Sequence, residues 1–220
     1  MDILIFYKRV VRFFECPFLG GIPLTKISIT AVAFDSEEDY IVFEKAQKLK
    51  KLYIGHSEYE NYDEDTKQFL YEFLCEQNAF PYFVLYEPYG DVTEEIEKLY
   101  ISESIPYSLR YEGSSFKRFP VLTITINGPS ALKLVLEESF WIAASNQFYS
   151  ISFSSYKPIL KKGLFGKMKQ YLVPCFTMKY PATVIKIWHD GQGFNLYTND
   201  SKYSTVEQLI SYLPNGTILE

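Results

Sequence analysis

Histidine and cysteine are the residues of this sequence best suited to nucleophilic or metal chemistry, and both are scarce. His189 begins the stretch His189-Asp190-Gly191-Gln192-Gly193-Phe194, where a carboxylate and a Gly-x-Gly pattern follow it. A phosphate-binding loop needs such glycines between a strand and a helix, because the helix N-terminus supplies the donors. Here β-rich runs lie on both sides of the glycines. The pattern therefore predicts a hairpin turn at Asp190-Gly191, a dipeptide preferred where positive φ is required.

A nucleophilic dyad of Cys175 and His189 is the next candidate, since the two residues lie on successive predicted strands joined through Tyr180-Pro181. A turn centred near Pro181 places Cys175 opposite Lys186 or Ile187, which leaves His189 about 10 Å out of reach. We therefore expect no dyad. The three cysteines, Cys16, Cys75 and Cys175, are expected to act as small buried apolar residues.

Metal sites require ligands at close spacing, and the sequence contains neither a CxxC nor an HExxH pattern. Asp63 and Asp65 have the spacing that begins a calcium-binding loop, but Lys67 stands at its third ligand position and Gln68 at its glycine position. The sequence accordingly predicts no metal, no cofactor and no catalytic residue that a linear motif identifies.

Charged segments are the remaining candidates for function. Residues 58–65 carry five carboxylates and two tyrosines without a base. Carboxylates steer the approach of a basic protein, and tyrosines bury large areas at low entropic cost. We therefore predict a partner-binding surface formed by Glu58, Tyr59, Glu60, Tyr62, Asp63, Glu64 and Asp65. The alternative is a solvated loop between helices.

A basic segment, Lys157 to Tyr171, carries five lysines and no acid around an apolar set of residues. Three interpretations stay open for it: a surface connection kept soluble by its lysines, a lid loosened by Gly163 and Gly166, or a weak contact with a membrane surface. In an acidic protein any such electrostatic attraction is modest, because cellular salt screens it within about 8 to 10 Å.

Composition limits the class of protein. The 220 residues are 47% apolar and 22% charged, which is typical of a folded globular chain. A net charge of −5 argues against binding to duplex nucleic acid. The odd number of cysteines favours a reducing compartment, so we expect a cytoplasmic location. The longest uncharged stretch, Ser139 to Tyr156, is too rich in serine for a membrane span.

Strands are predicted first where apolar and polar residues alternate, because a period of two is typical of half-buried strands in an antiparallel sheet with one wet face. The alternating segments are 26–34, 121–127 and 148–155. Further strands are expected at Ile3 to Tyr7, Tyr82 to Glu87, Val173 to Lys179, Val184 to Trp188 and Phe194 to Thr198.

Helices are predicted from their start signals. The expected helices are residues 40–55 after the cap-like Ser36 to Asp39 and before Gly55, residues 65–77, two short helices that begin in capping boxes at Asp91 and Ser204, and a helix with Pro129 as its first residue. Two segments, 82–101 and 193–213, resemble each other in giving a strand, a polar turn and a short helix. This repetition alone does not establish a duplication.

The expected fold is therefore α+β, a mainly antiparallel sheet with four or five helices packed against it. We expect one domain over residues 1–220. The alternative is a helix-rich half, 1–104, and a strand-rich half, 105–220, divided within Ser102 to Pro120.

The sequence lacks metal-binding, phosphate-binding and catalytic motifs and has an acidic, tyrosine-bearing segment. From these two features we predict a non-catalytic domain, of the inhibitor or immunity type, that binds a basic protein partner. The first alternative is a cytoplasmic enzyme whose Asp, Glu, Tyr and Lys residues meet only in the fold. The second is a structural component of a larger assembly. The sequence leaves the oligomeric state open.

Overall fold

Strands account for 35% of the structure and helices for 33%, which confirms the α+β class. The computed structural model describes residues 26–36, 38–46, 48–56, 61–114, 117–154, 159–162, 172–177 and 181–220. The predicted strand at Ile3 to Tyr7 lies outside these residues.

The described chain contains twelve strands and four α-helices. The strands are β1 (Lys26–Val32), β2 (Val42–Glu44), β3 (Lys50–His56), β4 (Tyr82–Tyr86), β5 (Tyr107–Ser114), β6 (Lys117–Ile126), β7 (Tyr149–Ser152), β8 (Ile159–Lys162), β9 (Leu172–Thr177), β10 (Thr183–Ile187), β11 (Gly193–Thr198) and β12 (Ile218–Leu219). The helices are α1 (Tyr62–Gln77), α2 (Thr93–Ser102), α3 (Pro129–Ala144) and α4 (Val206–Ile210), and two short 3₁₀ helices cover His189–Gly191 and Ser201–Tyr203.

Nine strands form the main sheet in the order β12-β1-β3-β11-β10-β7-β4-β6-β5. Neighbouring strands are antiparallel except at the edge, where β12 runs parallel to β1. The other three strands form a separate sheet in the order β2-β9-β8. The large antiparallel sheet is the predicted architecture.

The two halves of the main sheet repeat one arrangement on either side of the β7–β10 pair. From the middle outward, one half runs β7-β4-β6-β5 and the other runs β10-β11-β3-β1. The second strand of each half, β4 or β11, leads to a short helix, and the third strand, β6 or β3, leads to a helix of 16 residues. In residues 82–152 this is a split β-α-β-β-α-β unit. The two similar sequence segments thus occupy matching positions.

All four helices contribute to one apolar core with one face of the main sheet. Alternate residues of the central strands point into it, among them Ile151 of β7, Ile185 of β10 and Leu196 of β11. Phe194 lies with Phe69 and Phe73 of α1, with ring centroids 6.2 Å apart in both pairs.

A second, smaller core lies on the opposite face of the sheet. It joins Phe176 of β9 and Phe43 of β2 to Val184 and Tyr197, which alternate with the residues that face the helices. The predicted wet face is therefore wrong at β7, where Ser150 is fully buried. At the outer strand β1 the alternation holds in part: Ile27 is buried and Thr30 is exposed, but Ala31 of the predicted buried side is exposed as well.

The predicted helix over residues 40–55 is wrong, because this segment forms β2 and β3. Lys45 and Lys48 have φ values of 60° and 56°, which a right-handed helix does not allow. β3 pairs along its whole length with β1 and β11. This long-range pairing overrides the local helix preference of the lysine-rich sequence. Gly55 lies in a strand and does not cap a helix.

The other predicted helices are present, with differences at their starts. The first residue of α1 is Tyr62, three residues before the predicted start, and Pro129 begins α3. α2 follows Val92 without a side-chain cap. The cap of α4 is Thr205, whose hydroxyl accepts a hydrogen bond from the Gln208 N–H, one residue later than expected.

The segment Ser102 to Pro120, predicted as a boundary, contains β5 and the beginning of β6, which pair with each other. In the main sheet, strands that precede this segment in the sequence lie between strands that follow it. The extent of the domain beyond the described residues stays a prediction.

Candidate functional site

The hairpin predicted around His189 is confirmed, since β10 and β11 pair up to Ile187 and Phe194. The Trp188 N–H donates to the Gly193 carbonyl over 2.9 Å and closes the loop. Asp190 and Gly191 have φ values of 54° and 76°, the conformation for which that dipeptide is preferred.

The second glycine has a different role. A Cβ atom at Gly193 would lie 2.4 Å from the Ile54 carbonyl oxygen. Gly193 therefore lets β11 approach β3 closely. Both glycines have structural explanations, as predicted, although only Gly191 belongs to the turn itself.

The hairpin turn packs between two helices. A Cβ atom at Gly191 would lie 3.1 Å from Asp63 Cβ in α1, 3.2 Å from the Phe140 ring and 3.4 Å from Ala144 Cβ in α3. The turn therefore joins the acidic beginning of α1 to the end of α3.

Polar contacts fix the turn to Asn146, the second residue after α3. The Asn146 amide donates to the Asp190 carboxylate over 2.6 Å, and its oxygen accepts from the Asp190 N–H over 3.1 Å. His189 Nδ1 lies 3.2 Å from the same oxygen. These exposed contacts hold the His189 ring at the surface.

The strand pairing assumed for Cys175 and His189 is wrong. Cys175 belongs to β9, which pairs with β2 and β8 and not with β10. Cys175 is buried in the smaller sheet, whereas His189 is exposed. Cys75 is partly buried against the main core, close to its expected environment.

The predicted partner-binding residues are only partly within the described chain. Glu58, Tyr59 and Glu60 lie outside it. The other four, Tyr62, Asp63, Glu64 and Asp65, form the first turn of α1, so this half of the segment is helical where a loop was expected. The carboxylates suit the positive end of the helix dipole. Glu64 forms an ion pair of 2.5 Å with Lys67.

An exposed aromatic pair, missed in the sequence, lies further along the same end of the molecule. Tyr89 and Trp141 stack with ring centroids 5.9 Å apart, and 43% of Trp141 is exposed. The Tyr89 hydroxyl donates to the Ser145 carbonyl and accepts from the Gln147 amide, both over 3.2 Å. The only sequence signal was a tryptophan in a stretch otherwise suited to burial.

We use the name acidic end for the surface that these contacts connect. Its described residues are Tyr62, Asp63, Glu64, Asp65, Tyr89, Trp141, Asn146, His189 and Asp190. It brings the described part of the predicted surface together with the hairpin that contains the scarce histidine.

A buried cluster of charges lies on the opposite side of the main sheet from the helices. Lys51 of β3 donates to the Asp39 carboxylate over 2.5 Å, and the two side chains are only 8% and 1% exposed. Lys186 of β10 donates to the backbone carbonyl of Asp39. Tyr197 of β11, directly opposite Lys51, is fully buried beside them. Residue spacing in the sequence does not predict this cluster, because its members come from four separate segments.

Burial changes the proton affinities in this cluster. Loss of hydration lowers the pKa of Lys186 to about 8, an effect that Asp39 opposes and Lys51 reinforces. Burial, and then the negative charge of Asp39, raise the pKa of Tyr197 above its usual range. The buried cluster therefore combines one ion pair with two further groups, Lys186 and Tyr197, whose pKa values are displaced.

Little of the basic segment is within the described residues. Only its residues 159–162 are included, and they form β8 at the edge of the smaller sheet. The three interpretations given for Lys157 to Tyr171 stay predictions.

A polar surface groove of about 490 Å³ lies beside α4, away from both features. It is lined by Ser201, Lys202, Gln208, Ser211 and Tyr212. The Lys202 ammonium lies 4.3 Å from the centroid of the Tyr212 ring and contacts Gln77 over 3.1 Å. Lys202, the cation among the described residues that line the groove, is therefore already engaged by Tyr212 and Gln77.

No family model, curated protein or solved structure matches the chain. The class of this protein therefore rests on its fold, which is mixed α+β with a large, mostly antiparallel sheet. None of the helices within the described ranges has the length and apolar character to cross a membrane.

Proposed function

We propose that this protein binds a basic protein partner through the acidic end, as an inhibitor or an immunity-type protein does. The observation that carries the proposal is the packing of the hairpin turn at Gly191 against both Asp63 of α1 and Ala144 of α3. It makes one surface of carboxylates that are distant in sequence.

Charge and exposure support this choice of partner. Asp63, Glu64 and Asp65 lie in one helical turn that contains no base, and Lys67 of the next turn forms an ion pair with Glu64. Asp190 adds a further carboxylate at the hairpin. Such a surface attracts a positively charged protein and raises its association rate at low salt.

Aromatic side chains support tight binding at the same end. Trp141 and Tyr89 are stacked and hydrogen-bonded in place, so little side-chain entropy remains to be lost on association. Tryptophan and tyrosine are enriched among the residues that dominate binding energy. A cytoplasmic location fits the same proposal.

Charge reversal in two helices tests the proposal. A partner captured from a source lysate is identified, purified and titrated calorimetrically against the wild type and two double variants. Glu64→Lys with Asp65→Lys alters the acidic end, and Glu94→Lys with Glu95→Lys is the matched control. Both pairs lie in the first turn of a helix, and in both the first glutamate is paired with a lysine.

The α1 variant is expected to weaken Kd by about tenfold or more at low salt, because like charges then face the partner. The α2 variant is expected to leave Kd nearly unchanged, and Trp141→Ala to cost about 2 kcal/mol of binding energy. An acidic partner, or equal effects of the two charge reversals, would contradict the proposal and favour an assembly role through another surface.

A second candidate function, an enzyme with dispersed active-site residues, is favoured by a different observation. Lys51, Lys186 and Tyr197 converge on Asp39 from three strands, and the pKa of Lys186 is displaced toward neutrality. Displaced pKa values of this kind are typical of catalytic groups.

A further inference from the structure

The charge cluster on the face opposite the helices contains more donors than acceptors. Strand register places Lys51 opposite Tyr197 and Lys186 opposite Asn195, and all four residues project from the same face. The Asp39 carboxylate bonds to Lys51, and the Asp39 backbone carbonyl bonds to Lys186. The cluster therefore holds two amines beside one carboxylate.

Hydrogen bonding assigns that carboxylate to one of the two amines. Asp39 Oδ1 accepts from Lys51 over 2.5 Å, and Oδ2 accepts from the Asp35 N–H over 3.3 Å. Among the described residues, Lys186 hydrogen-bonds to the Asp39 carbonyl oxygen. It therefore lacks the bond to the Asp39 carboxylate that would stabilise its charged form.

The surroundings of Lys186 act on its charge in opposite directions. Burial beside the apolar Val184 favours the neutral amine, whereas the Phe148 ring, whose centroid lies 6.0 Å from Nζ, weakly favours the ammonium. Two charged residues act on the Lys186 amine: Asp39, in the loop before β2, and Lys51 of β3. The pKa of the amine is about 8. The phenols of Tyr53 and Tyr197 project from the same face of β3 and β11, and β7 presents the uncharged Ser150 directly opposite.

Lys186 is the more exposed of the two amines in the cluster. Lys51 is 8% exposed and Tyr197 is fully buried, whereas Lys186 is only partly buried. Next to it, the Asn195 amide nitrogen is buried and has no hydrogen-bond partner among the described residues. An unpaired buried donor of this kind is costly, so it suits an acceptor that arrives with a ligand.

We propose that Lys186 is an imine-forming lysine that condenses with a small aldehyde or ketone. The lone pair of the neutral amine attacks the carbonyl carbon to form a C–N bond. Proton transfer from nitrogen to oxygen gives a carbinolamine. As the C=N bond forms, the C–O bond breaks and the hydroxyl leaves as water with the remaining proton of the nitrogen. The Asn195 amide supplies a donor to the carbonyl oxygen of the incoming compound. This site is independent of the acidic end.

Reductive labelling tests the proposal on the wild-type protein. The folded chain is incubated briefly with acetaldehyde and cyanoborohydride at pH 7.5, and peptide mass spectrometry measures labelling at each lysine. Lys98 is the reference amine, because it is 70% exposed and its pairing with Glu94 raises its pKa. We expect Lys186 to be labelled roughly tenfold faster, since far more of it is neutral at this pH.

The dependence on pH separates a tuned amine from one that is merely accessible. The rate at Lys186 is expected to level off above about pH 8, while the rate at Lys98 continues to rise. Lys51→Met frees the Asp39 carboxylate for Lys186 and should bring its rate down to that of Lys98. Lys186→Arg should abolish labelling at this position.

Equal rates at Lys186 and Lys98 in the folded wild type, or a rate at Lys186 without a plateau, would overturn the proposal. Neither measurement needs a variant to fold. Loss of partner binding in the α1 charge reversal leaves both results unchanged, so the two proposals fail separately.

Discussion

The two faces of the main sheet bury polar groups in different ways. On the helical face these are neutral hydroxyls in pairs: Tyr86 and Tyr100 lie 2.8 Å apart, and Ser139 and Tyr149 lie 2.9 Å apart. The other face also buries neutral groups, such as Ser150 and Asn195, and with them it buries an ion pair of Asp39 and Lys51. Paired hydroxyls need no charge balance, whereas buried ions do.

This difference also determines which face contains a group with a pKa near neutrality. Burial raises the pKa of Tyr100 to about 12, so the hydroxyls of the helical face stay protonated near neutral pH. Lys186, on the other face, titrates close to pH 8. The helical face contributes stability, and the opposite face holds the group whose protonation changes under ordinary conditions.

Removal of the one carboxylate gives the largest expected effect. Asp39→Ala leaves Lys51 buried without its counter-ion, and the free energy of unfolding is expected to fall by about 3 to 5 kcal/mol. Urea unfolding measures the change. Adding Lys51→Met should recover most of the loss, because an apolar residue then replaces the unpaired charge. If the double variant is as unstable as the single one, the carboxylate has a role other than balancing Lys51.

The pH dependence of stability distinguishes Lys186 from the buried tyrosines. Below pH 8 Lys186 is protonated in both the folded and the unfolded chain, so the cost of burying its charge is fully present. Between pH 8 and 10.5 the unfolded chain binds more protons, and stability is expected to rise by up to about 3 kcal/mol. Urea unfolding across this range provides the measurement.

Above pH 10 the tyrosines act with the opposite sign. Their pKa values are raised in the folded chain, so the unfolded chain loses these protons first and stability falls with further increase in pH. Lys186→Met should remove the rise and keep the fall. A rise that persists in this variant would assign the effect to another group.

A smaller effect is expected from a single hydroxyl of the helical face. Tyr100→Phe removes the hydrogen bond to Tyr86 and keeps the ring packed against Tyr107, so stability should fall by about 1 kcal/mol. Thermal or urea unfolding is sufficient to detect it. A loss as large as that of Asp39→Ala would remove the contrast between neutral and charged burial.

Local sequence patterns predicted those elements whose conformation depends on nearby residues. The hairpin at Asp190-Gly191 follows from positive φ at both positions, and α3 begins at Pro129 as a proline at the first helical position predicts. The alternation in residues 121–127 identified β6. The helix predicted over residues 40–55 was wrong because β3 forms by pairing with β1 and β11, and local sequence preference does not include such partners.

The candidate sites divide along the same line. The sequence identified the acidic turn Asp63 to Asp65 from composition, but it did not place Trp141 or Asp190 beside it. It also placed Lys51 in a helix, which concealed the cluster around Asp39.

By itself, the sequence determined the α+β class, the hairpin turn, the presence of α1 and the excess of negative charge, because each depends on residue types within a few positions. Only the tertiary structure decided that Asp39 meets Lys51 and Lys186, which are 12 and 147 residues away. The order of strands in a sheet sets such contacts, and that order results from the burial of whole faces. No short stretch of the chain encodes it.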